Sequence, residues 1–287
     1  MQRGKKRKLR PLHTLDLRRF PHSVGQGDAI DNTKSTTFFF DVSLSAQLRC
    51  TARARPLAVK SKSQKDLMGK KGRTCAKEVV ARLTAGNQAF VRSERYAQER
   101  AETAGSQHPH VIVVSCSDSR VSAPVVFDAM RLGFMFESKT AGQTMSSSDV
   151  ESVRYAVKVL TPQPCAIVML GHTDCGAVRA AVEAVLVGAR EAAGMPVEEA
   201  GPQRVYPTIV ANIAPAARAA LAEADADTRH AAICGDADAV ASIVDSASVI
   251  NTRIRAAELR LLLAGPDDRV PILPAFYNVR TGRVRWL

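Results

Sequence analysis

The sequence predicts an α/β fold with a central, mainly parallel sheet flanked by helices. Two short, continuous apolar runs over residues 110–116 and 165–171 are typical of parallel strands that are buried on both faces. Amphipathic helical patterns lie between and after these runs, so strands and helices alternate along the chain. A strand–turn–strand pattern over residues 270–287 adds an antiparallel hairpin at the C-terminal edge of the sheet.

The composition is that of a globular chain with a strongly basic beginning. Hydrophobic residues make up 46% of the 287 positions, which is ample for a core. No run approaches the roughly 18 apolar residues of a membrane-spanning helix, so we expect no membrane contact. The net charge of +12 is uneven, because residues 1–73 carry 18 Lys and Arg against 5 Asp and Glu, whereas the rest carries 22 against 23.

The N-terminal segment, residues 1–72, shows no sustained periodicity and is rich in Arg, Lys, Ser and Thr. We predict a basic, disordered extension here, followed by a folded domain over residues 73–287. There are three alternatives to a disordered extension without a role. The arm could contact nucleic acid, it could direct the protein to an organelle, or translation could start at Met68. The six cysteines are scattered and no secretory signal is evident, so we expect a cytoplasmic protein whose cysteines are metal ligands or buried thiols.

The first half of the domain yields elements in the following order. Apolar residues at helical spacing predict a helix around residues 79–91, interrupted at Gly86-Asn87. The apolar run over 110–116 is the first buried strand, and a second short apolar run covers residues 132–136.

The second half of the domain begins with the predicted N-terminus of a helix. Ser148 and Glu151 resemble a capping box, and the apolar face after them predicts a helix that ends before Pro162. After the strand over 165–171 comes an alanine-rich helix over about 176–187. A loop over residues 188–205 is followed by helices over about 208–224 and 237–263. A strand over 270–277, a turn over 278–282 and a strand over 283–287 form the hairpin that completes the prediction.

Both buried strands end in chemically active side chains. The first delivers Cys116, Asp118 and Arg120, and the second delivers His172 and Cys175. In open α/β sheets ligands bind beyond the carboxyl ends of the strands, and neighbouring strands are only about 5 Å apart. Cys116, His172 and Cys175 could therefore converge on one point. Two thiolates and an imidazole suit zinc, and three protein ligands leave a fourth position open, as in catalytic zinc sites.

The spacing of Asp118 and Arg120 predicts a carboxylate–guanidinium pair beside this metal site. The guanidinium can hold the carboxylate by two hydrogen bonds, so that Asp118 stays ionised and only accepts. Such a carboxylate could orient a water molecule at the metal, or take the fourth position itself and close the site.

Each motif alone has a plainer interpretation. A cysteine that ends a buried strand is commonly a small apolar filler, and Cys165 and Cys234 are interpreted as core residues. The Cys-x-Asp-x-Arg segment could be a turn with an internal salt bridge. A phosphatase-like role fails, because only three residues separate Cys116 from Arg120. The occurrence of both motifs directly after apolar strands is what favours a metal site.

Together these residues resemble the β class of carbonic anhydrases. The resemblance covers about residues 76–287, and its two metal motifs are highly specific. The matching segments are 83–87 with Phe90, 116–121, 127–128, 140–142, Ser152 with 155–157, 171–178 and 281–284.

The resemblance implies a sheet of four parallel strands and one antiparallel strand, in a homodimer or homotetramer whose N-terminal helices embrace the neighbour. It implies one zinc ion per chain on Cys116, His172 and Cys175, and a catalytic pair of Asp118 and Arg120. The implied activity is the reversible hydration of carbon dioxide to bicarbonate and a proton. In some members the Asp of the pair becomes a fourth ligand at low pH.

Four positions depart from the family pattern. Lys139 stands where Arg is usual, and an ammonium lacks the planar fork of a guanidinium. Glu151 and Arg154 replace a Gly and a Glu, and Ser122 replaces a common Pro. Lys139, Glu151 and Arg154 motivate an alternative function, a carbonic-anhydrase-like zinc protein with little activity that serves a structural or bicarbonate-sensing role.

Overall fold

The computed structural model describes residues 70–197, 205–265 and 270–287, and side chains from residue 76 onward. These residues all belong to one compact unit. Residues 1–69 of the predicted disordered arm, and with them the alternative of a contact with nucleic acid, lie outside the described residues. The first helix begins at Lys70, so the last three residues of the predicted arm are helical. Within the described ranges, no helix is both long enough and apolar enough to cross a bilayer.

Helices and strands alternate over residues 111–192, with further helices before and after this part and two strands at the end. The helices are α1 (Lys70–Arg92), α2 (Glu94–Thr103), α3 (Ala123–Val126), α4 (Ser147–Lys158), α5 (Gly176–Ala192), α6 (Pro207–Glu223), α7 (Ala226–Ile233) and α8 (Ala237–Leu263). The strands are β1 (Val111–Cys116), β2 (Met135–Thr140), β3 (Ala166–His172), β4 (Ile272–Tyr277) and β5 (Val284–Trp286), and a 3₁₀ turn (Ala141–Gln143) follows β2.

The five strands form one sheet in the order β2-β1-β3-β4-β5. All neighbouring pairs are parallel except β4 and β5, which are antiparallel. The predicted fold class, four parallel strands with one antiparallel edge strand, is therefore confirmed. Because β1 and β3 are direct neighbours, their carboxyl ends lie side by side at one edge of the sheet.

Strands β1 and β3 are buried on both faces, as their continuous apolar runs predict. Ile112 and Met169 point to the face that packs on α4 and α8, whereas Val113 and Leu170 point to the face that packs on the segment around Val121. Full burial of such a side chain contributes roughly 1.5–3 kcal/mol to stability. A third apolar cluster joins α5, α6, α7 and α8 and extends to Cys116 at the end of β1.

The capping box of α4 lies two residues earlier than predicted. Ser146, not Ser148, is the N-cap, and its side chain accepts a hydrogen bond from the Asp149 amide. In return the Asp149 carboxylate accepts from the Ser146 amide at 2.8 Å. The predicted capping box of Ser148 and Glu151 was wrong, because Asp149, three residues after Ser146, fills the role that the prediction gave to Glu151. Ser148 instead lies inside the first turn of the helix.

Two predicted helix limits also need correction. α1 runs through Gly86-Asn87 without a break, since one glycine costs a helix only about 1 kcal/mol. α5 continues past Gly188 to Ala192, so part of the predicted loop over 188–205 is helical, and residues 198–204 lie outside the described ranges. The short helix α7 was not predicted, although Asp225 caps it in the usual way.

Cys165 is exposed rather than part of the core. It lies just before β3, where its amide donates to the carbonyl of His110. Cys234 is half-buried at the end of α7.

Gly171 marks a place where β3 and α8 touch. A Cβ atom added there would lie 1.9 Å from the hydroxyl oxygen of Thr252. We expect Gly171→Ala to lower the free energy of unfolding by about 1–3 kcal/mol, because it overpacks this contact. Urea unfolding in the presence of a zinc chelator measures the change without a contribution from metal.

Gly188→Ala is the matched control, because nothing lies within 4 Å of a Cβ added there. It is expected to raise the free energy of unfolding by about 0.5–1 kcal/mol, since alanine favours the helix. An unchanged unfolding midpoint in Gly171→Ala would contradict the close contact of β3 with α8.

Candidate metal centre

Three buried side chains meet at the edge where β1 and β3 end. Cys116 is the last residue of β1, His172 is the last residue of β3, and Cys175 precedes the first turn of α5. Their potential ligand atoms all lie within 4.8 Å of one another, and the two sulfurs are 3.9 Å apart. Two sulfurs at about 2.3 Å from a tetrahedral zinc would be roughly 3.8 Å apart. The group therefore has the size and the donor atoms of a zinc site.

One ring nitrogen of His172 has no hydrogen-bond partner. Its Nδ1 lies 2.9 Å from the carbonyl oxygen of Thr173, and because a carbonyl only accepts, Nδ1 carries the proton. Nε2, which bears the lone pair in the neutral form of this ring, is buried without a hydrogen-bond partner. A buried polar atom without a partner is costly, and a metal ion would satisfy it.

Cys116 lies in surroundings that favour its thiolate. Its sulfur accepts hydrogen bonds from the Gly142 amide at 3.3 Å and from the Asp118 amide at 3.4 Å. The contact with the Cys175 thiol, then the nearby His172 ring and these two amides, lower the pKa of Cys116 to about 4, against the opposing effect of burial. The same contact with Cys116, together with burial, raises the pKa of Cys175. The pair thus holds one negative charge readily, and a bound cation would draw off the second proton.

Asp118 and Arg120 form the expected pair. One carboxylate oxygen of Asp118 accepts from the Arg120 amide at 2.9 Å and from Nε at 3.0 Å, and the other accepts from Nη2 at 2.7 Å. The side-chain hydrogen bonds from Arg120 are the main reason that the pKa of Asp118 falls to about 2. Among the described residues, Asp118 is not a member of the close group of potential ligands.

Asp174, which the sequence reasoning did not single out, anchors Arg120 from the other loop. Its carboxylate accepts from Nη1 of Arg120 at 3.1 Å, and its carbonyl accepts from Nη2 at 3.0 Å. Arg179 also reaches the Asp174 carboxylate, at 3.4 Å. The only sequence signal was its place between His172 and Cys175, and spacing alone cannot reveal a partner on another loop.

The positions that depart from the family pattern are not members of the metal group. The Lys139 ammonium donates to the carbonyl of Val121. Arg154 donates to the carbonyl of Leu262 at 2.8 Å and so joins α4 to α8. Glu151 is exposed in the second turn of α4, and Ser122 occupies the N-cap position of α3 without a side-chain cap hydrogen bond.

Comparison with known proteins gives two kinds of match. A family model described as carbonic anhydrase matches residues 111–284, which is more than half of the chain. Carbonic anhydrase 2 of Mycobacterium tuberculosis is 43% identical over 108 residues, covering 36% of this chain and 51% of that protein. The carbonic anhydrase of Mycolicibacterium smegmatis is 39% identical with the same coverage. The chain thus spans about half the length of these relatives.

Two solved structures share the fold. The β-carbonic anhydrase CcaA gives a TM-score of 0.53 at 18% identity and covers 73% of this chain and 92% of its own. The β-carbonic anhydrase CafA of Aspergillus fumigatus gives 0.50 at 18% identity, with coverage of 74% and 90%. At this identity the likeness concerns the fold, and the family model supplies the relationship. The chain therefore belongs to the carbonic anhydrase family, in its β class.

Proposed function

We propose that this protein is a zinc-dependent carbonic anhydrase that interconverts carbon dioxide and bicarbonate. The observation that carries the proposal is the buried group of Cys116, His172 and Cys175, with the unpartnered Nε2 of His172. We assign these three residues as the ligands of one zinc ion per chain. Membership of the carbonic anhydrase family supports carbon dioxide as the substrate.

Zinc, when bound, would supply a Lewis acid that makes water easier to deprotonate. The proposed task of Asp118 is to orient the reacting water. Its low pKa keeps it ionised at neutral pH, so it accepts a hydrogen bond and does not donate one. Arg120 holds this carboxylate by a planar fork and is itself held by Asp174, so the carboxylate has a defined direction.

Asp118 is also the proposed fourth ligand of a closed state. Both of its oxygens accept from Arg120, and it lies outside the close ligand group. These contacts support an open arrangement in which the fourth position is left for water. A closed state would require the carboxylate to leave Arg120.

We also infer that the protein is a homodimer or homotetramer. The described part of α1 exposes apolar side chains along its length, namely those of Val79, Val80, Leu83 and Val91. An apolar helix surface of this kind favours cover by another chain. A cytoplasmic location stays a prediction from the sequence.

The proposed activity predicts a matched pair of cysteine variants. The purified full chain should hold about one zinc and hydrate carbon dioxide in a stopped-flow assay, with the activity lost to a chelator and restored by zinc. Cys175→Ser should lose more than about 100-fold in activity and most of its zinc, because it removes a ligand. Cys165→Ser, at an exposed cysteine outside the group, should retain both.

Each outcome has a distinct meaning. A zinc-loaded protein without hydration activity would favour the structural or bicarbonate-sensing alternative. A chain that holds no zinc would end the proposal. Light scattering on the same sample should give the mass of a dimer or tetramer, and a monomer would remove the oligomer from the proposal.

The role of the Arg120 fork gives a further prediction. Arg120→Lys should lower kcat/KM about 10–100-fold at unchanged zinc content, because an ammonium cannot hold both oxygens of Asp118 in one plane. Arg179→Lys is the matched control, since Arg179 reaches Asp174 and has no described hydrogen bond with Asp118. Wild-type kinetics in Arg120→Lys would contradict the role assigned to the fork.

A further inference from the structure

A buried amide on α8 reaches the turn that touches Cys116. We propose that Asn251 is a positioning residue for Cys116, which holds the Gly142 turn so that the Gly142 amide stays hydrogen-bonded to the sulfur. The inference rests on the zinc site proposed above. It assigns a role to a residue that lies far from both metal motifs in the sequence.

The first step concerns the two amides that donate to the Cys116 sulfur. The Asp118 amide belongs to the same loop as Cys116, so local chain geometry already brings it near. The Gly142 amide comes from the 3₁₀ turn after β2 and must be placed by contacts of its own. Hydrogen bonds to a ligand sulfur tune the charge that it presents to a metal, so this placement affects metal binding.

The second step concerns the backbone of Gly142. It adopts φ 64° and ψ 21°, a left-handed conformation. Glycine adopts this conformation without steric strain but can also leave it readily. A Cβ atom there would lie 2.6 Å from Cδ1 of Ile213 and 3.2 Å from Cβ of Ala177, so the turn fits closely against α6 and α5. These apolar contacts limit the space but fix neither flanking peptide plane by a directional bond.

Asn251 supplies a directional bond. Its Nδ2 donates to the Gly142 carbonyl at 2.9 Å. One peptide plane beside Gly142 is thus held by Asn251, and the other is held by the hydrogen bond from the Gly142 amide to Cys116. A second link between the turn and α8 is longer, because Gln143 Nε2 is 3.5 Å from the Thr252 hydroxyl.

The surroundings of Asn251 indicate that stability alone does not explain it. The residue is 1% exposed, and its Oδ1 is buried without a hydrogen-bond partner. Asparagine is also a weak helix former, and a half-satisfied buried amide is costly. An apolar residue would suit the interior of α8 better, so the benefit of Asn251 lies in the bond to Gly142.

The test compares two buried polar residues of α8. Ser248 is 3% exposed, and its hydroxyl donates only within the helix, to the carbonyl of Val244. Asn251→Ala should bind zinc about 10–100-fold more weakly in competition with a chelator, and Ser248→Ala should bind it like the wild type. In the cobalt-substituted proteins, Asn251→Ala should also shift the sulfur-to-cobalt charge-transfer band. A role confined to packing would lower the unfolding midpoint and leave that band unchanged.

The outcomes separate this inference from the proposed function. A wild-type protein that binds neither zinc nor cobalt would end both. If the wild type binds metal and Asn251→Ala shows the same affinity and the same charge-transfer band, only the role of Asn251 is overturned. If Asn251→Ala does not fold, the nearly isosteric Asn251→Leu, which has no hydrogen-bond donor, carries the same comparison, and an unchanged band would again overturn the inference.

Discussion

The parallel pairing of β1 with β3 is the constraint on which the rest of the site depends. It brings the carboxyl ends of two strands together, so that Cys116 and His172 meet although they are far apart in the sequence. The turn that starts α5 then adds Cys175. Since apolar side chains cover both faces of these strands, the strand ends have little freedom to separate. A core of ordinary composition thus gives a precise arrangement of three donor atoms.

This arrangement is costly without a cation. Two cysteines share a close contact, and a buried imidazole nitrogen has no partner. The hydrogen bonds from the amides of Asp118 and Gly142 favour negative charge on Cys116. Around this centre a second set of contacts, which joins Asp118 to Arg120 and Arg120 to Asp174, ties the two loops together. The proposed zinc site and the proposed water-orienting carboxylate therefore share one rigid frame.

The sequence predicted what local patterns encode. Apolar runs identified β1 and β3, the residues after them identified the three candidate ligands and the Asp118–Arg120 pair, and helix signals found α8 at its observed limits. Contacts between distant segments could not be read in this way. Asp174 and Asn251 act through partners on other loops, and nothing in their own neighbourhoods in the sequence marks those partners. The N-cap of α4 was misplaced because consecutive serines offered equivalent local signals.

The most direct test of the central claim is X-ray absorption spectroscopy at the zinc edge on the purified full chain. The account predicts a first shell of two sulfurs at about 2.3 Å and one imidazole nitrogen at about 2.0–2.1 Å, completed by one light atom. A shell of nitrogen and oxygen alone, or of four sulfurs, would contradict the assignment of zinc to Cys116, His172 and Cys175.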